Sequence, residues 1–345
     1  MIRAALLALL ALPLLVARPM AEEVSYDILR FSDLDGWETD DHDAALEVFL
    51  NTCPDMDDTD WLTLCALAQQ TPAAKPFFEL FFRPVLIEDD KRALFTGYFE
   101  PELDGALRPS ERYRYPLYRE PQISKAVNPW LTRREIETGD FMKGRGLEIA
   151  WVDDPVELFF LQIQGSGRIR LPDGRMIRVG YGGSNGQNYR SIGAELVRRG
   201  VYKAHQVSAQ VIKNWVRRNP VEGRELLYFN PSYVFFRRID EVPAEKGPLG
   251  AMNRSITTMR TIAVDPAFVP LGAPVWIEKG GADRLHRLMI AQDTGSAIKG
   301  AQRADIFMGT GDEAGNMAGR LKDPGRMLVL MPIQRAYALA PEALP

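Results

Sequence analysis

The sequence predicts a mainly β protein with a helical N-terminal region, its later strands closing into a small barrel. Three observations carry this. Residues 22–90 hold apolar-periodic stretches behind acidic or hydroxyl N-cap residues. From about residue 93 the pattern changes to short apolar strands parted by Gly and Pro turns. In the last third those strands recur at the close spacing of a small barrel.

The chain has 345 residues, enough for two domains or for one domain with an insertion. Arg3 precedes an apolar run from Ala4 to Ala17, too short to span a bilayer and built like a secretory signal. Residues 1–21 are therefore expected to be a signal peptide, and the mature protein is expected in an oxidising compartment. No Cys follows the run, so a lipid attachment point is not expected. Cys53 and Cys65 can pair as a disulfide or remain two buried thiols.

Asp40, Asp41 and Asp43 precede Ala44, Ala45, Val48 and Phe49 and mark one helix start; Asp58 or Thr59 opens a second. Thr71 and Pro72 read as N-cap and first helical residue of a third, stopped by Pro84. Asp33, Asp35 and Gly36 lack the spacing and terminal Glu of a calcium loop. Strands are expected at 93–100, 113–119 and 158–164. A hairpin is expected over 168–179 around Pro172, Asp173 and Gly174. Thr132 and Glu135 form a capping box. Two helices follow, Ser191 to Arg199 and Ser208 to Arg218. The expected barrel strands are 256–264, 274–278, 287–292, 304–308 and 326–330.

Composition excludes several function classes. There are 42 Lys and Arg against 46 Asp and Glu, a formal charge of −4, which loss of residues 1–21 deepens by two. That balance does not suit a general nucleic-acid binder. His42, His205 and His286 are scattered, with no zinc-hydrolase spacing, and two Cys cannot build a Cys-rich metal site. No nucleophile elbow or P-loop is present. No metal or cofactor is expected.

The remaining chemistry is carboxylate. Asp265, Asp293 and Asp305 each end or interrupt an apolar barrel strand. Burial would raise such a group's pKa and keep it protonated near neutral pH, as a general acid requires. Asp293, Thr294, Gly295 and Ser296 spell the aspartic-protease cue, but no second copy exists in the chain. A polar and aromatic set accompanies the aspartates: Gly97, Tyr98 and Glu100 at one strand end, and Gln162, Gln164, Gly165 and Ser166 at another. Read as strand residues, Gln162 and Gln164 share a face and suit sugar hydroxyl and acetamido groups.

Taken together, these motifs resemble the MltA family of lytic transglycosylases. The likeness runs through Gly97-Tyr98-Phe99-Glu100-Pro101, Leu161 to Gly167, Gly182 to Gln187, Asn230 to Phe236 and Gly247-Pro248-Leu249-Gly250. It continues through Ala263-Val264-Asp265-Pro266, Gln292 to Gly300 and Ala304-Asp305-Ile306-Phe307 with Gly309 and Gly311. The resemblance implies helices and a double-psi β-barrel (3D domain) from 22–110 plus 245–335. A smaller inserted β-domain would occupy 111–244, with a groove between the two and a C-terminal tail at 336–345. It implies cleavage of the β-1,4 bond between N-acetylmuramic acid and N-acetylglucosamine without water, leaving 1,6-anhydromuramic ends. Asp305 matches the family's catalytic acid, and Asp293 and Asp265 its neighbours. Asp293 is expected to raise or hold Asp305, and Lys299 to offset some charge. The expected partner is a peptidoglycan glycan strand, with no nucleic acid or obligate protein partner, and a monomer is the default. A periplasmic location is expected, since the family's lipid anchor lacks its Cys here. The alternative is a non-catalytic glycan-binding barrel.

Overall fold

A computed structural model of the protein describes residues 24–71 and 73–343. The expected signal peptide lies outside the described residues. In chain order the strands are β1 (Ser25–Ile28), β2 (Phe82–Glu88), β3 (Leu94–Glu100), β4 (Glu102–Ala106), β5 (Tyr115–Tyr118), β6 (Glu148–Val152), β7 (Gly167–Arg170) and β8 (Met176–Ser184). They continue as β9 (Val234–Ile239), β10 (Thr261–Val264), β11 (Pro274–Lys279), β12 (Leu285–Thr294), β13 (Arg303–Thr310), β14 (Lys322–Asp323) and β15 (Gly325–Pro332).

The N-terminal helices form where the caps predict. The Asp41 carboxylate accepts the Ala44 N–H at the head of His42–Thr52, and Asp58 accepts the Asp60 N–H at the head of Thr59–Ala68. Cys53 and Cys65 are joined as a disulfide. The third helix starts at Ala74 rather than at Pro72, which lies outside the described residues. Its first amide donates to Asp43 of the first helix at 3.3 Å, so the cap comes from across the packing. Pro84 does not stop this helix but lies inside β2, which Phe82 begins. Phe49, Trp61, Phe77, Phe78 and Phe82 interlock behind the sheet, with Phe49 edge-on to Phe82 at 6.2 Å between ring centroids.

The main sheet has nine strands in the order β1-β2-β15-β11-β12-β10-β13-β3-β14. Two neighbouring pairs are parallel, β10 with β12 and β13 with β3. Its far flank is drawn back to the middle by the 322–325 strip. Asp323 pairs with Phe95 of β3, Gly325 pairs with Lys279 of β11, and the Gly280 N–H donates to the Pro324 carbonyl at 2.8 Å. Val275, Trp276, Ile277, Leu288, Ile290 and Leu328 are fully buried inside. The strand expected from 256 begins only at Thr261, because Thr257 to Arg260 forms a turn and Met259 takes φ 58°. The expected C-terminal tail begins inside a helix, Ile333–Leu339, in which Ala336 is fully buried.

A second, six-stranded sheet has the order β5-β6-β4-β7-β8-β9. It takes in Glu102–Ala106, ahead of the expected boundary at 111, because β4 pairs with β6 and β7. The expected strand at 158–164 is instead the helix Pro155–Gln164. Asp154 caps its N–H groups, Pro155 opens it and Gly165 closes it at φ 79°.

Candidate active site

Sheet order builds the site. Ala263 at the centre of β10 pairs with Asp293 of β12 on one side and with Asp305 of β13 on the other. Asp305 in turn pairs with Thr96 of β3. Two carboxylates and a hydroxyl therefore lie in one row across four strands.

The two carboxylates differ in what holds them. Asp293 Oδ1 accepts the N–H groups of Ala251 (3.0 Å) and Thr294 (2.9 Å), and Oδ2 accepts the Tyr98 hydroxyl at 2.9 Å. Burial nevertheless raises Asp293 to about 6, and the nearby Asp305 adds to the rise. Asp305 Oδ1 accepts the Thr96 hydroxyl, and no other donor reaches this carboxyl among the described residues. Burial raises Asp305 above the usual carboxylate range, while the Thr96 bond and the Arg303 charge act in the opposite direction. Arg303 donates from Nη2 to Thr96 Oγ1 at 2.8 Å. Tyr98, pushed well up by burial and by Asp293, stays a neutral donor.

The other expected site residues are placed differently. Asp265 is buried one step beyond the row. Burial pushes its pKa up, but the Gly300 N–H (3.0 Å), the Ala267 N–H (3.3 Å) and Lys299 (3.4 Å) outweigh that and hold it below the usual range. Asp265 thus pins the 295–300 loop, and Lys299 serves Asp265 rather than the pair. The bond that holds Asp305 comes from Thr96 and not from Asp293. Glu100 is fully buried between Arg168 and Arg178 of the second sheet. Gly97 lets the Gly311–Arg320 helix close on β3, since a Cβ there would meet Ala318 Cα at 2.8 Å. The helix at 155–164 turns Gln162 inward, beside Tyr233, while Gln164 Oε1 accepts the Phe99 N–H of β3 at 3.1 Å. Gly165 caps that helix and Ser166 behind it is buried. Arg303 was not singled out from sequence, and Thr96 stood there only as the first residue of the strand-end motif Thr96 to Pro101. The signal was period two: Thr96 lies two residues before Tyr98, and Arg303 two before Asp305. Among the described residues, no group of three or more His, Cys, Asp or Glu side chains is placed to hold a metal ion.

Residues 94–237 match the MltA specific insert domain, and residues 260–331 match the 3D domain. The membrane-bound lytic murein transglycosylase A of Vibrio cholerae is 34% identical over 264 residues, 72% of this chain and 69% of that protein. The chain belongs to the MltA family. The crystal structure of the membrane-bound lytic murein transglycosylase from Agrobacterium tumefaciens superposes with a TM-score of 0.83 at 30% identity, covering 91% of this chain and 99% of that one. Escherichia coli MltA with bound chitohexaose gives 0.72 at 26% identity, covering 89% and 94%.

The raised Asp293 has a consequence for stability in this MltA-family chain. Its folded pKa of about 6 lies above the unfolded value of roughly 4. The folded state therefore holds a proton that the unfolded chain lacks between those values. The resulting stabilisation is complete below pH 4 and is lost as pH rises through 6. Asp293→Asn keeps an acceptor for both N–H groups and removes the charge. Thermal melts should show the variant about 2–4 °C above wild type at pH 7.5, with the gain gone at pH 4.

Proposed function

We propose that the chain is a peptidoglycan lytic transglycosylase with Asp305 as its single acid and base. The observation that carries this is the asymmetry of the row. Asp293 has three donors and is built to stay a held carboxylate. Asp305 has one capped oxygen and one oxygen without a donor among the described residues; burial raises both carboxyls, so the difference lies in the donors. One acid suffices if the nucleophile belongs to the substrate. Two-carboxylate glycosidases need a second group to attack C1 or to activate water. Here the muramic C6 hydroxyl attacks C1 of its own ring, a step that proximity makes effectively unimolecular.

Asp305 gives its proton to the glycosidic oxygen as the C1–O bond breaks. The ionised carboxylate then takes the C6 hydroxyl proton as the C6 oxygen bonds to C1, which restores the acid. A β-1,4-linked N-acetylated glycan is the substrate class, in keeping with the chitohexaose bound by the E. coli relative. The relatives are named membrane-bound. Among the described residues no helix is long and apolar enough to cross a membrane. We place this chain in the periplasm, on the signal-like character of residues 1–21, and take a monomer as the default.

Incubation with purified sacculi tests the reaction. Soluble muropeptides with anhydro ends, one water lighter than hydrolytic ends by mass, are expected. Full-mass reducing ends would make it a hydrolase, and binding without release would make it a glycan-binding protein.

A further inference from the structure

We propose that Arg303 and Thr96 act as a proton-placing relay, confining the acidic proton of Asp305 to Oδ2, so that this one oxygen both gives and retrieves the proton. The inference rests on the reading of Asp305 as the acid and adds which of its atoms does the work.

The argument starts from donor counts. A threonine hydroxyl has one hydrogen and two lone pairs, and a guanidinium has donors only. Arg303 Nη2 donates to Thr96 Oγ1 at 2.8 Å, which occupies a lone pair. The remaining Thr96 hydrogen points to Asp305 Oδ1. An oxygen that receives a hydrogen bond in this way is a poor place for the acid's own proton. The proton is left to Oδ2, which no donor reaches among the described residues. Arg303 leaves Thr96 a second lone pair, but its charge draws density from the hydroxyl and makes it a better donor and a poorer acceptor; without Arg303 the hydroxyl could more readily turn round and accept from Oδ1–H, trapping the proton against β3.

Arg303 is held for this task. Its Nη1 donates to the carbonyls of Ala304 (2.6 Å) and Leu94 (3.2 Å), which fixes the guanidinium plane. Among the described residues it forms no ion pair, and Asp305 is the carboxylate that its charge meets. The relay therefore favours the carboxylate that appears once the proton has left. The other charged or titratable groups around Asp305 are Tyr98 on β3 and Asp293 on β12. Lys322, opposite Thr96 on β14, is exposed, as are Asp312, Glu313 and Arg320 on the helix packed against β3.

Thr96→Val removes the hydroxyl at nearly constant volume, and Thr96→Ser keeps it. On sacculi, Thr96→Val should lower kcat on the order of tenfold or more, and Thr96→Ser should restore most of it. The bond from Thr96 favours the ionised acid, so its loss raises the Asp305 pKa. The alkaline limb of kcat/KM should move to higher pH in Thr96→Val and in Arg303→Met, and stay in place in Thr96→Ser. Carboxyl ¹³C NMR of Asp305 should report the same upward shift without reference to turnover. Folded Thr96→Val protein with an unmoved limb, or Thr96→Ser as impaired as Thr96→Val, would overturn the relay. Full turnover by Asp305→Asn would instead overturn the assignment of the acid beneath it.

Discussion

Asp305→Asn is expected to release muropeptides from sacculi at least about a thousandfold more slowly than wild type, in the upper part of the range ascribed to a positioned general acid. The substitution is nearly isosteric. Thr96 can still donate to the amide oxygen, so the row of β12, β10, β13 and β3 keeps its hydrogen bond. The glycan should bind as before, and thermal melts should show no loss of stability. Asp305→Ala should be equally inactive but less stable, because it strands a Thr96 hydroxyl and the Arg303 charge behind it. The wild-type rate should fall on the alkaline side as the raised Asp305 pKa is passed, since only the protonated form can start the reaction. Near-normal release of anhydro products by Asp305→Asn would sink the single-acid reading.

How far the sequence speaks depends on the range of the interaction. The caps at Asp41 and Asp58 and the Asp173-Gly174 hairpin are local and fall where the sequence puts them. The helix at 155–164 was legible from its ends, Asp154, Pro155 and Gly165, but the alternating Gln162 and Gln164 in its last turn point to a strand. Long-range facts are different in kind. Asp293 meets Ala263 only because the β10–β12 register skips Gln292 between Ile262 and Ala263. Strand faces alternate, so that one-residue bulge decides which side chain joins Asp305. Without it Gln292 would lie there; instead Gln292 is fully buried and accepts the Thr261 hydroxyl. No local pattern announces a parallel pairing or its bulge. The three aspartates were visible as residues, whereas the division of their duties was not. Beside the local Ala267 amide, Lys299 and the Gly300 amide commit Asp265 to a loop, and those two contacts come from 34 and 35 positions away.

The buried Glu100 gives the largest expected effect on the fold. Its Oε2 lies 2.9 Å from Arg168 Nε and accepts the Thr310 hydroxyl at 2.8 Å. Its Oε1 lies 2.8 Å from Arg178 Nε, a close ion pair without good hydrogen-bond alignment. Arg178 also donates to the carbonyls of Lys246 (2.7 Å) and Pro243 (3.1 Å). The chain passes between the two sheets at Pro101 and again between β9 and β10, and this cluster clasps both passages. Thr310 adds β13, the strand that carries Asp305. Removing one member of a buried ion cluster costs about 3–5 kcal/mol, because the remaining charges stay desolvated and unpaired. Glu100→Ala should therefore lower Tm by about 5–10 °C and open the 240–247 segment to limited proteolysis. Activity measured well below the new Tm should still fall, since the second sheet can then pivot against the row of Asp293 and Asp305. The double variant Glu100→Gln with Arg178→Met should melt above Glu100→Gln alone, because it removes a stranded cation as well as its partner. If the two losses simply add, the cluster is not a unit, and the angle between the two sheets must be set by packing instead.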